Sequence, residues 1–351
     1  MTFSVAELAS IANAAMDFHY KGQPFAQTIQ DKPLLAAMEA NKKTFPGGKG
    51  DITIPVKGAY EFQDTDNPNP RPGTLQGYTH SDTVAYGTIA DIERAKYTWR
   101  ELHTGWTVTF TELKVDGISV SDTVTGEGES RHSDREVTAI TNIMQDKVES
   151  FAEITEKAMN TMLWGDGSAD AKGLVGIRHF ITATPSTGTT GGIARSTAWW
   201  RNKYATVNTA SAEVIPAIHA NLRQVRRYGG RPRIALCGSD FLDQIVKELR
   251  AKGNYTDVGW ASSGSTNISI ADVRYNNLKF EYDPTLDDLS LPKRCYFIDP
   301  SKLYLYAMEK EWGRDHSPAR PHNAYSLYKA RTYTGQLVCS QLNAHLLMEF
   351  T

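Results

Sequence analysis

Hydrophobic positions change their rhythm several times along this chain, and each change falls at turn-forming residues. Near the start, Val5, Leu8, Ile11, Ala12 and Ala15 recur at helical spacing and predict one short amphipathic helix. From Gly22 to Gly50, prolines and glycines interrupt every pattern, so residues 1–50 read as an arm. Alternation then sets in, with Ile52, Ile54 and Val56 on one face of a strand. The following DTDNPNPRPGTLQG carries Pro68, Pro70 and Pro72, which cannot donate to a sheet. Strand-like patterning resumes in YTHSDTVAYGTIADI, which makes an extended hairpin with a long tip. A second strand pair is predicted next. Ala95, Tyr97 and Trp99 alternate, the HTG at 103–105 reads as a turn, and Trp106, Val108 and Phe110 alternate after it. Residues 51–115 are therefore expected to form the hairpin and its adjoining strands.

The strongest periodic signal is SDREVTAITNIMQDKVESFAEITEKAMNTMLWGDG. Ser133 stands as N-cap with Glu136 three residues on, the pattern of a capping box. Val137, Ile140, Met144, Val148, Phe151, Ala158 and Met162 make one apolar stripe, and Gly165 ends it. A helix over 133–164 would be about 45 Å long at about 1.5 Å per residue. Globular helices average about 11–12 residues, so this one predicts a spine in a flat, elongated protein. After it come strand signals in GLVGIRHFI, then GTTGGIARSTAWWRN at 188–202, then a helix in SAEVIPAIHANLRQVRRYGG that ends in arginines and paired glycines. These elements make a unit over 116–229. From Arg231 the pattern runs strand (RPRIALCG), helix (SDFLDQIVKELRAKG) and strands (NNLKFEYD, RCYFID, KLYLYAME), an α+β unit over 230–325. In the final segment, 326–351, ARTYTGQLVCSQLNAHLLMEF reads as two strands. Leu346, Met348 and Phe350 alternate, so the apolar chain end is expected to be tied into a sheet.

Composition and chemistry narrow the picture mainly by exclusion. Of 351 residues, 40% are hydrophobic and 22% charged, as in an ordinary folded domain. The formal net charge is −2, which gives the chain as a whole no basic footprint for nucleic acid. No apolar run approaches the roughly 20 residues that cross a bilayer, and the N-terminus lacks the basic start of a secretory signal, so no membrane partner is expected. Cys237, Cys295 and Cys339 sit in apolar strand contexts without CxxC pairing and read as buried thiols. Gly48-Lys49 fails as a P-loop, because Lys43 and Gly50 stand where Gly and Ser/Thr are needed. Gly188, Gly191 and Gly192 lack dinucleotide-loop spacing. Asp166, Ser168 and Asp170 begin a calcium-loop count that Ala171 and Ile177 break. His316 and His322 flank a turn without further ligands, and WASSGS has Trp260 where a nucleophile elbow needs Gly. No catalytic constellation, cofactor or metal is expected.

The order of elements resembles the major capsid proteins of tailed phages, the Hong Kong 97-type fold. The local match is strongest at the helix exit, Met162-Leu163-Trp164-Gly165-Asp166-Gly167, followed by Lys172-Gly173-Leu174-Val175-Gly176-Ile177. Gly191-Gly192-Ile193 with Trp199-Trp200-Arg201-Asn202 is similar to a segment found in a subset of that family. The resemblance implies an α+β fold with an N-terminal arm, an E-loop hairpin, a P-domain with a spine helix, an A-domain and C-terminal strands returning to the P-domain. It also implies a non-enzymatic shell subunit that assembles with itself into pentamers and hexamers in the host cytoplasm. The expected location is the virion capsid, around packaged double-stranded DNA that is not read by sequence. A portal and a decoration protein are further implied partners. Some members of that family carry a scaffolding region before the arm, whereas here fewer than about twenty residues precede the arm-like segment, so assembly is expected to rely on a separate scaffolding protein or on the short N-terminal helix itself. Lys57 and Lys96 lie on the hairpin, but no partner Asn or Glu is assignable, so a covalent cross-link is not expected. The assembly-interface candidates are Lys57, Asp64, Asn67 and Arg71 of the hairpin, and Arg195, Trp199, Trp200 and Arg201 of the glycine-tryptophan stretch. Two other readings stay open: an encapsulin-like nanocompartment shell, and a soluble α+β enzyme built on the unit from Arg231.

Overall fold

The computed structural model describes residues 3–4, 31–48, 50–58, 62–63, 78–81, 88–89, 92–115, 120–121, 134–208, 214–251, 274–275, 278–317 and 326–350. The main elements in chain order are α1 (Pro33–Ala40), β1 (Lys43–Phe45), β2 (Asp51–Lys57), β3 (Ile92–Thr98), β4 (Arg100–Thr109) and α2 (Asp134–Trp164). They are followed by β5 (Lys203–Val207), α3 (Val214–Arg226), β6 (Ile234–Cys237), α4 (Ser239–Ala251), β7 (Leu278–Tyr282) and β8 (Arg294–Ile298). The chain closes with β9 (Leu303–His316), β10 (Ser326–Cys339) and β11 (Leu346–Phe350). The protein is α+β with mixed sheets.

A six-stranded sheet runs in the order β5-β11-β8-β6-β7 and then Arg274–Tyr275. β11 lies parallel to β5 and antiparallel to β8, which places the apolar C-terminus inside the sheet. Strand alternation splits its side chains between two cores. Ala235, Cys237, Cys295, Phe297, Leu346, Met348 and Phe350 face α3 and α4. Leu236, Tyr296, Ile298 and Leu347 join the larger core that also holds the last turns of α2. α3 presents Val214, Ile218, Leu222 and Val225 to the sheet, each buried and spaced for one helical face. Each such side chain contributes about 1.5–3 kcal/mol by leaving water.

A four-stranded sheet, β1-β9-β10-β4, forms the second layer. Beside it, β2 pairs antiparallel with β3 from Asp51↔Thr98 to Lys57↔Ile92, and Phe62–Gln63 pairs with Thr88–Ile89 further out. The strand read over 52–56 is present, but its partner is β3, expected to belong to the second strand pair; of the segment expected to return, 78–92, most of 82–91 lies outside the described residues, as does the tip, 64–77. The predicted helix around Val5–Ala15 and the Ser133 cap also lie outside them. The long helix forms over 31 residues and ends at Gly165, whose N–H donates to Met162 O at 3.0 Å.

Three further expectations are corrected. Residues 33–45, read as part of an arm, fold into α1 and β1. Pro33 opens the helix at its first turn, where a missing N–H costs nothing, so it starts the element it was read as breaking. Leu34 and Met38 are fully buried, Phe45 stacks on Tyr306 at 5.5 Å, and Trp312 Nε1 donates to Glu39 Oε1 at 2.9 Å. His103-Thr104-Gly105 is mid-strand in β4 and pairs with β10, so Trp99 and Trp106 do not flank a turn. A Cβ on Gly105 would lie 3.0 Å from Lys329 O, a close approach between strands that glycine permits. Finally, GLVGIRHFI contains a one-turn helix at Ile177–Phe180 and no strand, with Ile177 and Phe180 buried together.

Candidate functional site

The glycine-tryptophan stretch forms a small hairpin. Thr189–Thr190 pairs with Ile193–Ala194, and Gly191 and Gly192 between them take φ of 62° and 80°. Two successive residues with positive φ make the two-residue turn whose twist matches the strands, which is why two glycines stand there. This turn docks on β3: Lys96 N–H donates to Gly191 O at 2.9 Å. A Cβ on Gly191 would come 2.9 Å from the Ala95 Cβ.

Behind the turn, Arg195 and Trp200 hold the small hairpin from inside. Trp200 is fully buried and its Nε1 donates to Thr190 O at 2.9 Å. Arg195 Nε donates to Thr190 Oγ1 at 2.7 Å, and its Nη2 donates to His179 O. Burial lowers the Arg195 pKa, and burial together with the nearby Arg195 charge lowers that of His179. Asn202 completes the anchorage with a 2.9 Å bond from Nδ2 to Thr182 O. Tyr97, on the same face of β3 as Ala95, donates from its hydroxyl to Cys339 O at 2.7 Å, and burial raises the Tyr97 pKa. β3 is thereby bonded both to the small glycine hairpin and to the end of β10.

The structure thus divides the interface candidates. Arg195 and Trp200 are 2% and 0% exposed and are engaged within the chain itself. Trp199 and Arg201 are half-buried and Lys57 is exposed. Trp199 packs edge-on against Trp200 at 5.7 Å, and a Cβ on Gly58 would lie 1.9 Å from its ring, so the end of β2 rests on this indole. Lys57 and Trp199 are thus close neighbours at the outer end of the β2/β3 ladder. Asp64, Asn67 and Arg71 lie outside the described residues.

Two buried polar clusters escaped sequence reading because their members are far apart in the chain. Asp283 is fully buried, and its carboxylate accepts from Trp164 Nε1 and Thr285 N, both at 2.9 Å, and from the Leu34 N–H. Burial raises its pKa, and those hydrogen bonds oppose the rise. It joins α1, the end of α2 and the turn after β7. Asn160 adds a 2.7 Å bond from α2 to Thr285 Oγ1.

The second cluster sets Cys339, His345 and Asp299 together, residue types that elsewhere perform nucleophilic chemistry. The geometry does something else. Asp299 N–H donates to His345 Nδ1 at 3.2 Å, so the neutral ring carries its proton on Nε2. That nitrogen lies 3.7 Å from Cys339 Sγ and can give a proton but not take one. Burial pushes the Cys339 thiol up to about 12 and His345 down to about 4. Both are fully buried. The Asp299 carboxylate accepts from Arg231 N and from Ser301 N and Oγ, not from the imidazole. The trio joins the β8–β9 connection to the β10–β11 connection. Among the described residues no group of three or more His, Cys, Asp or Glu side chains could hold a metal ion, and no helix is long and apolar enough to cross a membrane.

No protein-family model and no curated protein matches the chain. Solved structures do. The fold is similar to a chain of the cyanophage A-1(L) capsid asymmetric unit, with a TM-score of 0.67 and 17% identity over 93% of this chain and 94% of that one. A chain from Mycobacterium phage Ogopogo aligns with a TM-score of 0.53 and 10% identity over 93% and 94%. A chain from the capsid of Myoviridae phage XM1 aligns with a TM-score of 0.52 and 11% identity over 94% and 95%. Coverage of nearly the whole of each chain establishes a common fold.

Proposed function

We propose that this chain, which has the fold of phage capsid proteins, is the major capsid protein of a tailed phage. It forms pentamers and hexamers of an icosahedral shell around packaged double-stranded DNA. The observation that carries the reading is the near end-to-end likeness to a capsid asymmetric unit. In this reading the β2/β3 hairpin is the E-loop, α2 the spine helix, the four-stranded sheet the centre of the P-domain and the six-stranded sheet that of the A-domain; β11, expected to return to the P-domain, then belongs to the A-domain sheet, and β9, expected within the 230–325 unit, to the P-domain sheet. A projecting hairpin is costly for a monomer and is stabilised when a neighbouring subunit covers it. Heterologous contacts that repeat around a ring provide that cover. The anchorage by the small glycine hairpin fits this role, because load on the long hairpin would pass into the core through β3. A scaffolding protein, portal and decoration protein complete the proposed set of partners.

Size is the decisive measurement. The purified 38.9 kDa chain is expected to elute as pentamers, hexamers or megadalton particles and to show rings or shells in negative stain. A catalytically active monomer would refute the reading. Shells carrying protein cargo and no nucleic acid would point to a nanocompartment instead.

The candidates that reach solvent, exposed Lys57 and half-buried Arg201, allow a finer test. Lys57→Glu and Arg201→Glu are expected to leave the subunit folded, as denaturant unfolding of dissociated subunits would show. Both are expected to reduce assembly yield, since a reversed charge repeats at every symmetry-related contact. Normal yields of normal shells would remove these two residues from the interface.

A further inference from the structure

We propose that Cys237 and Cys295 form a modification site, a cross-strand disulfide that a peroxide closes inside the six-stranded sheet. The two residues are register partners on antiparallel β6 and β8, and their sulfurs lie 3.1 Å apart. Gly238 N–H donates to Arg294 O at 3.0 Å, which makes the adjacent Gly238/Arg294 pair the hydrogen-bonded one. Cys237 and Cys295 therefore occupy a non-hydrogen-bonded pair, where opposed Cα atoms approach to about 4.5 Å. Disulfides span Cα separations of about 4.4–6.8 Å, so the backbone already suits the bond. Reaching the S–S distance of about 2.05 Å asks the sulfurs to close by about 1 Å, a side-chain adjustment. Cys339 is held elsewhere, beside His345, so the fold prepares one pairing among the three cysteines.

Both thiols are fully buried, and burial raises the Cys295 pKa well above its ordinary value. The folded pair is thus kept as thiols and protected from casual oxidation, and reaction is expected fastest while the sheet forms or opens. One thiolate attacks a peroxide oxygen and becomes a sulfenic acid, releasing water when the oxidant is hydrogen peroxide. The second sulfur then displaces the sulfenic oxygen as a second water. In total two protons and two electrons leave the thiols, and hydrogen peroxide is reduced to two waters. The bond joins positions 58 residues apart, around α4 and β7. It is expected to lower the unfolding equilibrium constant on the order of 100-fold. The proposal stands apart from the shell reading, because it concerns the sheet of a single chain.

The test uses the full chain, reduced and freed of reductant. One sample is treated with hydrogen peroxide while folded, and another is refolded from guanidinium chloride in its presence. Remaining thiols are alkylated in denaturant, and the digests are analysed by mass spectrometry. The expected product is a Cys237–Cys295 linked peptide lighter by two hydrogens, with Cys339 alkylated. The linked protein should keep its native near-ultraviolet circular dichroism and unfold at higher denaturant, a gain that reductant reverses. Cys295→Ala should abolish the link and leave Cys237 alkylatable. Three alkylated thiols in both samples, a predominant link to Cys339, or loss of native dichroism on linking would each overturn the proposal.

Discussion

Trp200→Ala is expected to destabilise the subunit by about 3–5 kcal/mol, the range for removing a large aromatic from a packed core. The indole is fully buried in the larger core, so its loss leaves a cavity there. It also leaves Thr190 O without the Trp200 Nε1 donor, and Thr190 is the residue that Arg195 holds through its hydroxyl. The cavity and the lost bond act on the same small hairpin, whose turn carries the Gly191 bond to Lys96. Trp199→Ala removes a half-buried ring from the same region and should cost clearly less. Denaturant unfolding of dissociated subunits measures both. Should Trp200→Ala unfold like wild type, or build shells of unchanged thermal stability, the anchoring role assigned to this stretch would be wrong.

That prediction rests on a role visible only after folding, which shows where sequence reading stops. Periodicity is a local property, so α2, α3, α4, the β2 strand and the alternating Leu346, Met348 and Phe350 could be read from spacing alone. Choice of partner is not local. Nothing in the alternation of Ala95 and Tyr97 says that β3 pairs backward with β2 while β4, two residues on, pairs with β10. Local punctuation misled in both directions. Pro33 looked like a breaker and is a helix start, while Gly105 looked like a turn and marks a close strand contact. Trp199 and Trp200 are both interface candidates by sequence, but which indole faces inward depends on the hairpin that precedes them. Asp283 and Trp164 are 119 positions apart, so a buried carboxylate that joins the long helix to the six-stranded sheet leaves no sequence signal.

His345 should make the fold sensitive to mild acid. Its ring is neutral in the native state, and burial holds its pKa at about 4 against an ordinary value of 6.5. Between those values the unfolded chain binds a proton that the folded chain does not, so unfolding is favoured as pH falls. The stabilisation is complete above about 6.5, declines through that window and is spent below about 4; its size is about 3 kcal/mol. Asp283 works in the opposite direction. Its pKa is raised by burial, so the folded state takes up its proton more readily and gains stability as pH falls through the native value. A pH profile of the wild type alone would mix the two contributions. His345→Asn isolates the first, because a side-chain carbonyl can still accept the Asp299 N–H while nothing titrates. The difference in unfolding free energy between wild type and variant is expected to shrink by about 3 kcal/mol from pH 7 to pH 4. Parallel profiles across that range would mean that the imidazole is already solvated in the native protein, and that the joining of the β8–β9 and β10–β11 connections does not depend on a dry, neutral histidine.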